Sequence, residues 1–174
     1  MIITPRSPDY WRVFDGFQHT AFRWEGRQDY EDEPEPLRCF LAGEPKPPMP
    51  GKERWVARVQ AACAAGKVMA RVHGVCEPLT PYLRYELQWS YPPNVAAGED
   101  VRIARTAAAP PVRDFWLFDS TALLWLDYDA SGCLVSTELD DNPASIVQAN
   151  HWRDVAMHAA VPLDDFMREN ILAA

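Results

Sequence analysis

Four common catalytic signatures are missing from this chain. There is no HExxH to set two zinc-binding histidines on one helical face, and no GxSxG to lift a serine onto a strained turn. There is no GxxxxGK[ST] loop to cradle phosphates and no GxGxxG to bring backbone against a pyrophosphate. Zincin, serine-hydrolase, P-loop and dinucleotide chemistry in their usual forms are thereby excluded. Cysteine is sparse and scattered, at positions 39, 63, 76 and 133, with no CxxC pair and no zinc or thioredoxin spacing. Reduced thiols in a cytoplasmic protein are the simplest reading. Long apolar runs are absent as well, no window approaching the roughly 18 residues needed to cross a bilayer. The opening MIITPRSPDYW lacks the basic and apolar regions of a signal peptide, so a soluble, intracellular chain with no membrane association is expected. No internal repeat or low-complexity tract interrupts it.

What is present suits one domain spanning residues 1–174, since 48% hydrophobic residues supply a substantial core. The formal charge of −8 is unevenly spread: residues 1–51 hold 6 basic and 9 acidic side chains, residues 52–113 hold 9 and 5, and residues 114–174 hold 2 and 11. An acidic field repels a polyphosphate, so direct nucleic-acid binding is not expected unless the middle third builds one continuous basic face.

The order of elements is legible from caps and periodicity. Ser7-Pro8-Asp9 opens a helix whose Tyr10, Trp11, Phe14 and Phe17 form an aromatic stripe. Phe22 and Trp24 alternate with Arg23 and Glu25 as in a short strand. An acidic run from Asp29 to Glu35 precedes a short helix that stops at Gly43, and the prolines from Pro45 to Pro50 read as an extended crossing within the one domain. The helix Glu53 to Ala65 places Trp55, Val56, Val59, Ala62 and Cys63 on one side, and a strand follows from Lys67 to Cys76. Thr80-Pro81 starts a helix that Pro92-Pro93 is expected to end. Strands are then expected at Val101 to Ile103, Phe115 to Phe118, Ala122 to Tyr128 and Cys133 to Leu139, with a loop at Thr106 to Pro111. The Asp129-Ala130-Ser131-Gly132 turn joins the last two strands, and Asp141-Asn142-Pro143 opens a long helix to about Ala160 before a short terminal one. Helices interleaved with strands and then a meander predict an α/β or α+β fold, a single mixed sheet flanked by helices.

Chemistry-bearing residues gather between Glu77 and Ile103. Tyr82, Tyr85 and Trp89 share one helical face at i, i+3 and i+7, suited to core packing or to an interface. Arg84 and Glu86 lie on the same helix, and Glu99 and Asp100 precede the strand containing Arg102. If the chain folds back at Pro92-Pro93, Arg84 can reach Glu99 or Asp100, as an internal ion pair or as part of a recognition site. The binding candidates are therefore Tyr82, Arg84, Tyr85, Glu86, Glu99, Asp100 and Arg102, with no catalytic residue assigned. His151, Asp154 and His158 share a helical face but make an incomplete coordination shell, so neither a metal nor another cofactor is expected.

Six segments carry a family resemblance: Phe14 to Glu25, FLAGEP from Phe40, EPLTPYLRYE from Glu77, PPNVAAGEDVRI from Pro92, DFWLFD from Asp114 and WRDVAMHAAVPL from Trp152. Over nearly its full length the chain resembles an uncharacterised actinobacterial family of stand-alone domains of unknown function, often encoded beside helix-turn-helix regulators. The last 60 residues are also similar to the half-domain of phospholipase-D-like folds, as used in sensor regions of bacterial regulators. Catalytic members of that group carry HxK with a later Asp, whereas no histidine here stands two residues before a lysine. The resemblance implies a non-catalytic cytoplasmic ligand- or protein-binding domain, accessory to a transcription regulator or a toxin–antitoxin-like pair. Its partner would be a helix-turn-helix regulator or a small-molecule ligand. The alternative is a small-molecule enzyme using an Arg/Glu/Asp site.

Overall fold

A computed structural model describes residues 1–31, 34–106 and 113–172. Its centre is one mixed sheet of eight strands: β1 (Ile2–Ile3), β2 (Thr20–Glu25), β3 (Val68–Val75), β4 (Asp100–Arg105), β5 (Asp114–Phe118), β6 (Ala122–Tyr128), β7 (Leu134–Asp140) and β8 (Val161–Pro162). Their order is β1-β7-β6-β5-β2-β3-β4-β8. β2, β3 and β4 run parallel, β5 lies antiparallel to β2, and β5-β6-β7 is a meander. The expected mixed sheet flanked by helices is what forms.

Parallel neighbours need helical crossovers, and these cover the sheet. On one face lie α1 (Pro8–Gly16) and α3 (Pro50–Ala64). Ser7 caps α1 by accepting from the Tyr10 amide, which turns Tyr10 and Phe14 inward onto Trp116 and Phe118. The expected α3 stripe meets the same cluster through Trp55, Val56, Val59, Ala62 and Cys63. The opposite face packs on α6 (Pro143–Ala159), where Ala149 and Ala156 admit Phe22, Trp24, Val72 and Phe115 closely. Between these layers β2 and β3 are buried on both sides. α2 (Pro34–Ala42) packs Leu37 and Phe40 against Tyr82 and Tyr85, and α7 (Leu163–Leu172) buries Leu163 and Phe166 against Val101 and Ile103 of β4.

The segment after Thr80 departs from expectation. Thr80 does cap α4 (Pro81–Tyr85), accepting from the Leu83 amide. Pro92-Pro93 does not end the helix, however: a π-helical turn, Glu86–Ser90, leads directly into α5 (Tyr91–Ala96). Pro92 has no N–H to offer Gln88 and its ring would crowd that carbonyl, a conflict the wider turn relieves while both prolines occupy the first turn of α5. The chain reverses later, at Gly98, whose φ of +105° suits glycine.

The meander's hairpin forms as expected. Asp129 Oδ1 accepts from the Ser131 and Cys133 amides at 2.9 and 3.0 Å. Gly132 has a φ of +91°, and a Cβ there would lie 3.1 Å from the Tyr30 Cα and the Glu31 nitrogen. The Thr106 to Pro111 loop, apart from Thr106, lies outside the described residues.

Candidate ligand site

Alternate residues of the central strands point away from α6 and carry charge. Because paired positions share a face, register alone sets Arg23 beside Arg71, Glu25 beside His73, and Trp116 beside Arg23. All four charged or titratable members are buried, Arg23 to 3% exposure and His73 to 0%. Buried charges persist only when paired and hydrogen-bonded, and each of these is.

Glu25 is the hub. Its two oxygens accept from Arg71 Nη1 at 3.1 and 3.0 Å, and its Oε1 lies 3.4 Å from Arg23 Nε. Arg71 Nε donates to Glu99 at 2.7 Å, and the other Glu99 oxygen accepts from the Trp55 indole at 3.2 Å. Arg23 Nη2 donates to Asp114 at 2.8 Å and to the Tyr128 hydroxyl at 2.9 Å. Asp114 also accepts from the Tyr30 hydroxyl at 2.5 Å and the Gly26 amide at 2.9 Å. Burial opposes ionisation of Glu25, but Arg71, Arg23 and His73 outweigh it and bring its pKa down to about 2.

His73 closes the network. Its Nε2 must donate to the Arg27 carbonyl, 2.6 Å away, because a carbonyl only accepts. Its Nδ1 lies 2.7 Å from the Tyr91 hydroxyl and 3.2 Å from Glu86 Oε2. Burial pulls the imidazole pKa down, but the Glu86 and Glu25 carboxylates raise it above 6.5. The Tyr91 hydroxyl stands 2.8 Å from Glu25 and 3.0 Å from Glu86, and burial followed by these carboxylates holds its pKa well above 10. The π-turn makes this possible. In an α-helix, positions five apart point about 140° away from each other, whereas the i, i+5 hydrogen bond from Tyr91 to Glu86 brings the two side chains to one side.

Above the arginines opens a cleft of about 160 Å³. Tyr10, Trp11, Trp55 and Trp116 wall it, Leu126 and Leu134 add apolar surface, and Arg6 and Lys52 stand further out. The Arg71 guanidinium carbon lies 5.9 Å from the rings of both Trp55 and Trp116, within cation–π range.

The structure distributes the sequence candidates over separate places. Glu86 and Glu99 enter the buried network. Tyr82 and Tyr85 are buried in a cluster with Tyr30, Phe40 and Met49, which meets the charged network through Tyr30. Arg84 is exposed, with no ion pair among the described residues. The feasible contact from Arg84 to Glu99 or Asp100 does not form: Glu99 belongs to Arg71, and Asp100 pairs with Arg102 at 3.0 Å. Glu99 and Asp100 diverge, as adjacent residues entering a strand must. On α6, His151 and His158 are exposed and Asp154 pairs with Arg153.

Arg23, Glu25, Arg71, His73, Tyr91 and Asp114 escaped sequence reasoning. The usable signal was Arg-x-Glu in β2 and Arg-x-His in β3. On strands joined by helical crossovers both faces are covered, so polar residues alternating with apolar ones point into a second interior.

The family model described as "Domain of unknown function (DUF6879)" matches residues 8–168. No curated protein matches the chain. Among solved structures, the phospholipase D family member Nuc from Salmonella typhimurium is similar at 9% identity, over 93% of this chain and 97% of that one, with a TM-score of 0.54. NucT from Helicobacter pylori is 8% identical over the same shares, with a TM-score of 0.48. At such identities the likeness to Nuc concerns the fold alone.

Proposed function

We propose that this chain, which belongs to the DUF6879 family of domains of unknown function, is a non-catalytic binding domain that holds a ligand over Arg71 and serves a protein partner. One observation carries the reading. Every group of the centre that could act as base or acid is already engaged: Glu25 by two arginines and Tyr91, Glu99 by Arg71 and Trp55, Asp114 by Arg23, Tyr30 and a backbone amide, and His73 at both ring nitrogens. A general base must present a lone pair to substrate. The arginines border the cleft, and the carboxylate that borders it with them, Glu25, is held by Arg71, Arg23 and Tyr91.

The partner we favour is a transcription regulator of the helix-turn-helix kind or one member of a toxin–antitoxin-like pair. Its docking face includes exposed Arg84, whereas half-exposed Asp100 and Arg102 stand on the α6 side of the sheet, in register with Ala70 and Val72. Basic residues of the middle third are largely paired with carboxylates, Arg58 with Asp15, Arg102 with Asp100, Arg105 with Glu77 and Glu169, and Arg113 with Asp127 and Glu138. That pairing supports a protein rather than a nucleic acid as partner. Four free thiols support a reducing compartment, the cytoplasm.

Affinity capture from the native host tests this. The full chain is expected to retain a DNA-binding regulator or a toxin-like protein, and Arg84→Ala to lose it while melting within about 0.5 kcal/mol of wild type, as surface changes do. Equal capture of partner by Arg84→Ala would remove this face from the proposal, and turnover of a bound small molecule would overturn the non-catalytic reading.

A further inference from the structure

We propose that the cleft over Arg71 takes a single-ring monocarboxylate, its carboxylate on Arg71 Nη2 and its ring against Trp55 and Trp116. This rests on the binding-domain reading and names the ligand class. Three observations combine. First, Arg71 is fixed by Glu99 on Nε and by Glu25 on Nη1, which leaves Nη2 with no partner among the described residues, on a side chain that lines the cleft. A guanidinium edge already locked in place loses little freedom on meeting a planar anion.

Second, Arg6 and Lys52 line the cleft beside Arg71, whose own charge and that of Arg23 are shared with Glu25, Glu99 and Asp114. The open Arg71 donor and the cations further out suit one negative charge, while Glu25 in the lining disfavours a second close by. A monocarboxylate therefore fits better than a phosphate dianion.

Third, the recess suits a single ring. An apolar cavity of about 150 Å³ accommodates benzene, and this cleft of about 160 Å³ has indole walls at Trp55 and Trp116, whose centroids are 5.4 Å apart. One ring fits this recess, which is open to solvent on its outer side. Phe14 packs edge-on against both tryptophans from behind, so the wall is preset.

Calorimetry and thermal shift on the full chain test the proposal, with benzoate as probe and benzyl alcohol, inorganic phosphate and adenosine monophosphate as comparisons. Benzoate is expected to bind with a dissociation constant on the order of 1 mM or tighter, and benzyl alcohol and phosphate at least about tenfold more weakly. Lys52→Gln should weaken benzoate several-fold, while Leu134→Trp, which fills the cleft and removes no member of the ion network, should abolish binding and leave the fold intact. No benzoate binding by folded wild-type protein overturns the inference, as does unchanged binding to Leu134→Trp or equal binding of benzyl alcohol. If benzoate fails but the regulator is captured, the ligand class falls and the binding-domain reading stands. If benzoate binds and is chemically converted, the cleft assignment stands and the non-catalytic reading falls.

Discussion

The two faces of β2 and β3 are built from adjacent residues of the same strands yet solve opposite problems. Toward α6 the strands present Phe22, Trp24, Ala70 and Val72, and the aromatic rings of Phe115, Trp125 and Trp152 complete a dry layer. Toward α1 and α3 they present Arg23, Glu25, Arg71 and His73. The first face gains stability from every apolar atom it covers. The second gains little net stability, because replacing buried ion pairs by well-packed apolar residues is often neutral or favourable. A sheet that needed only to fold gains nothing from the second kind of face, and on our proposal that face serves the cleft above it.

The largest break in this contrast is expected from Glu25→Ala. It leaves Arg71 and Arg23 short of their shared carboxylate and should destabilise by about 3–5 kcal/mol in urea unfolding. A loss below about 1 kcal/mol would mean that water replaces Glu25 and that the charged face is not sealed. On the apolar face, Leu117, 1% exposed, can only leave a cavity. Leu117→Ala is expected to cost about 3 kcal/mol with no dependence on pH between 4 and 9.

Acidity should distinguish the faces more finely. The folded-state pKa of Glu25, about 2, lies below its ordinary 4.5, so its contribution is complete above about pH 4.5 and is lost as pH falls toward 2. The pKa of His73 is raised above 6.5, so its contribution is complete below pH 6.5 and is lost as pH rises through the folded value. Stability is therefore expected to be greatest near pH 5–6 and to decline on both sides. Urea midpoints across pH 3–9 check this, and the alkaline decline should vanish in His73→Asn.

The smallest effect is expected from Trp24→Phe. The Trp24 indole nitrogen is buried with no hydrogen-bond partner among the described residues. Removing it relieves an unsatisfied donor and opens a small void, two effects that nearly cancel, so the change should stay within about 1 kcal/mol. A larger loss would mean that the indole has a bound water as partner.

What was legible in the chain follows the same division. Caps at Ser7, Thr80 and Asn142, the α3 stripe and the Asp129–Gly132 turn each act through near neighbours, and each formed where residue type and spacing said it would. The charged face was not legible, because the alternation of Phe22 and Trp24 with Arg23 and Glu25 reads equally well as a strand with one wet side. Only the crossover topology, a long-range property, shows both sides to be covered. Pro92-Pro93 misled for a related reason: their local rule forbids an α-helical hydrogen bond, and a π-turn satisfies that rule without stopping the helix. The bridge imagined from Arg84 to Glu99 depended on a reversal at those prolines, and with the reversal displaced to Gly98 the carboxylate meets Arg71 instead.

The β6-β7 hairpin tip is mechanically joined to the charged centre. Gly132 rests against the backbone of Tyr30 and Glu31 so closely that even a methyl group would push that segment away, and its carbonyl accepts from the Glu31 amide at 3.1 Å. Tyr30 in turn holds Asp114, and Asp114 holds Arg23. A surface turn and a buried guanidinium are thus joined by an unbroken run of contacts, Gly132 to Tyr30 to Asp114 to Arg23, that ends at the floor of the cleft.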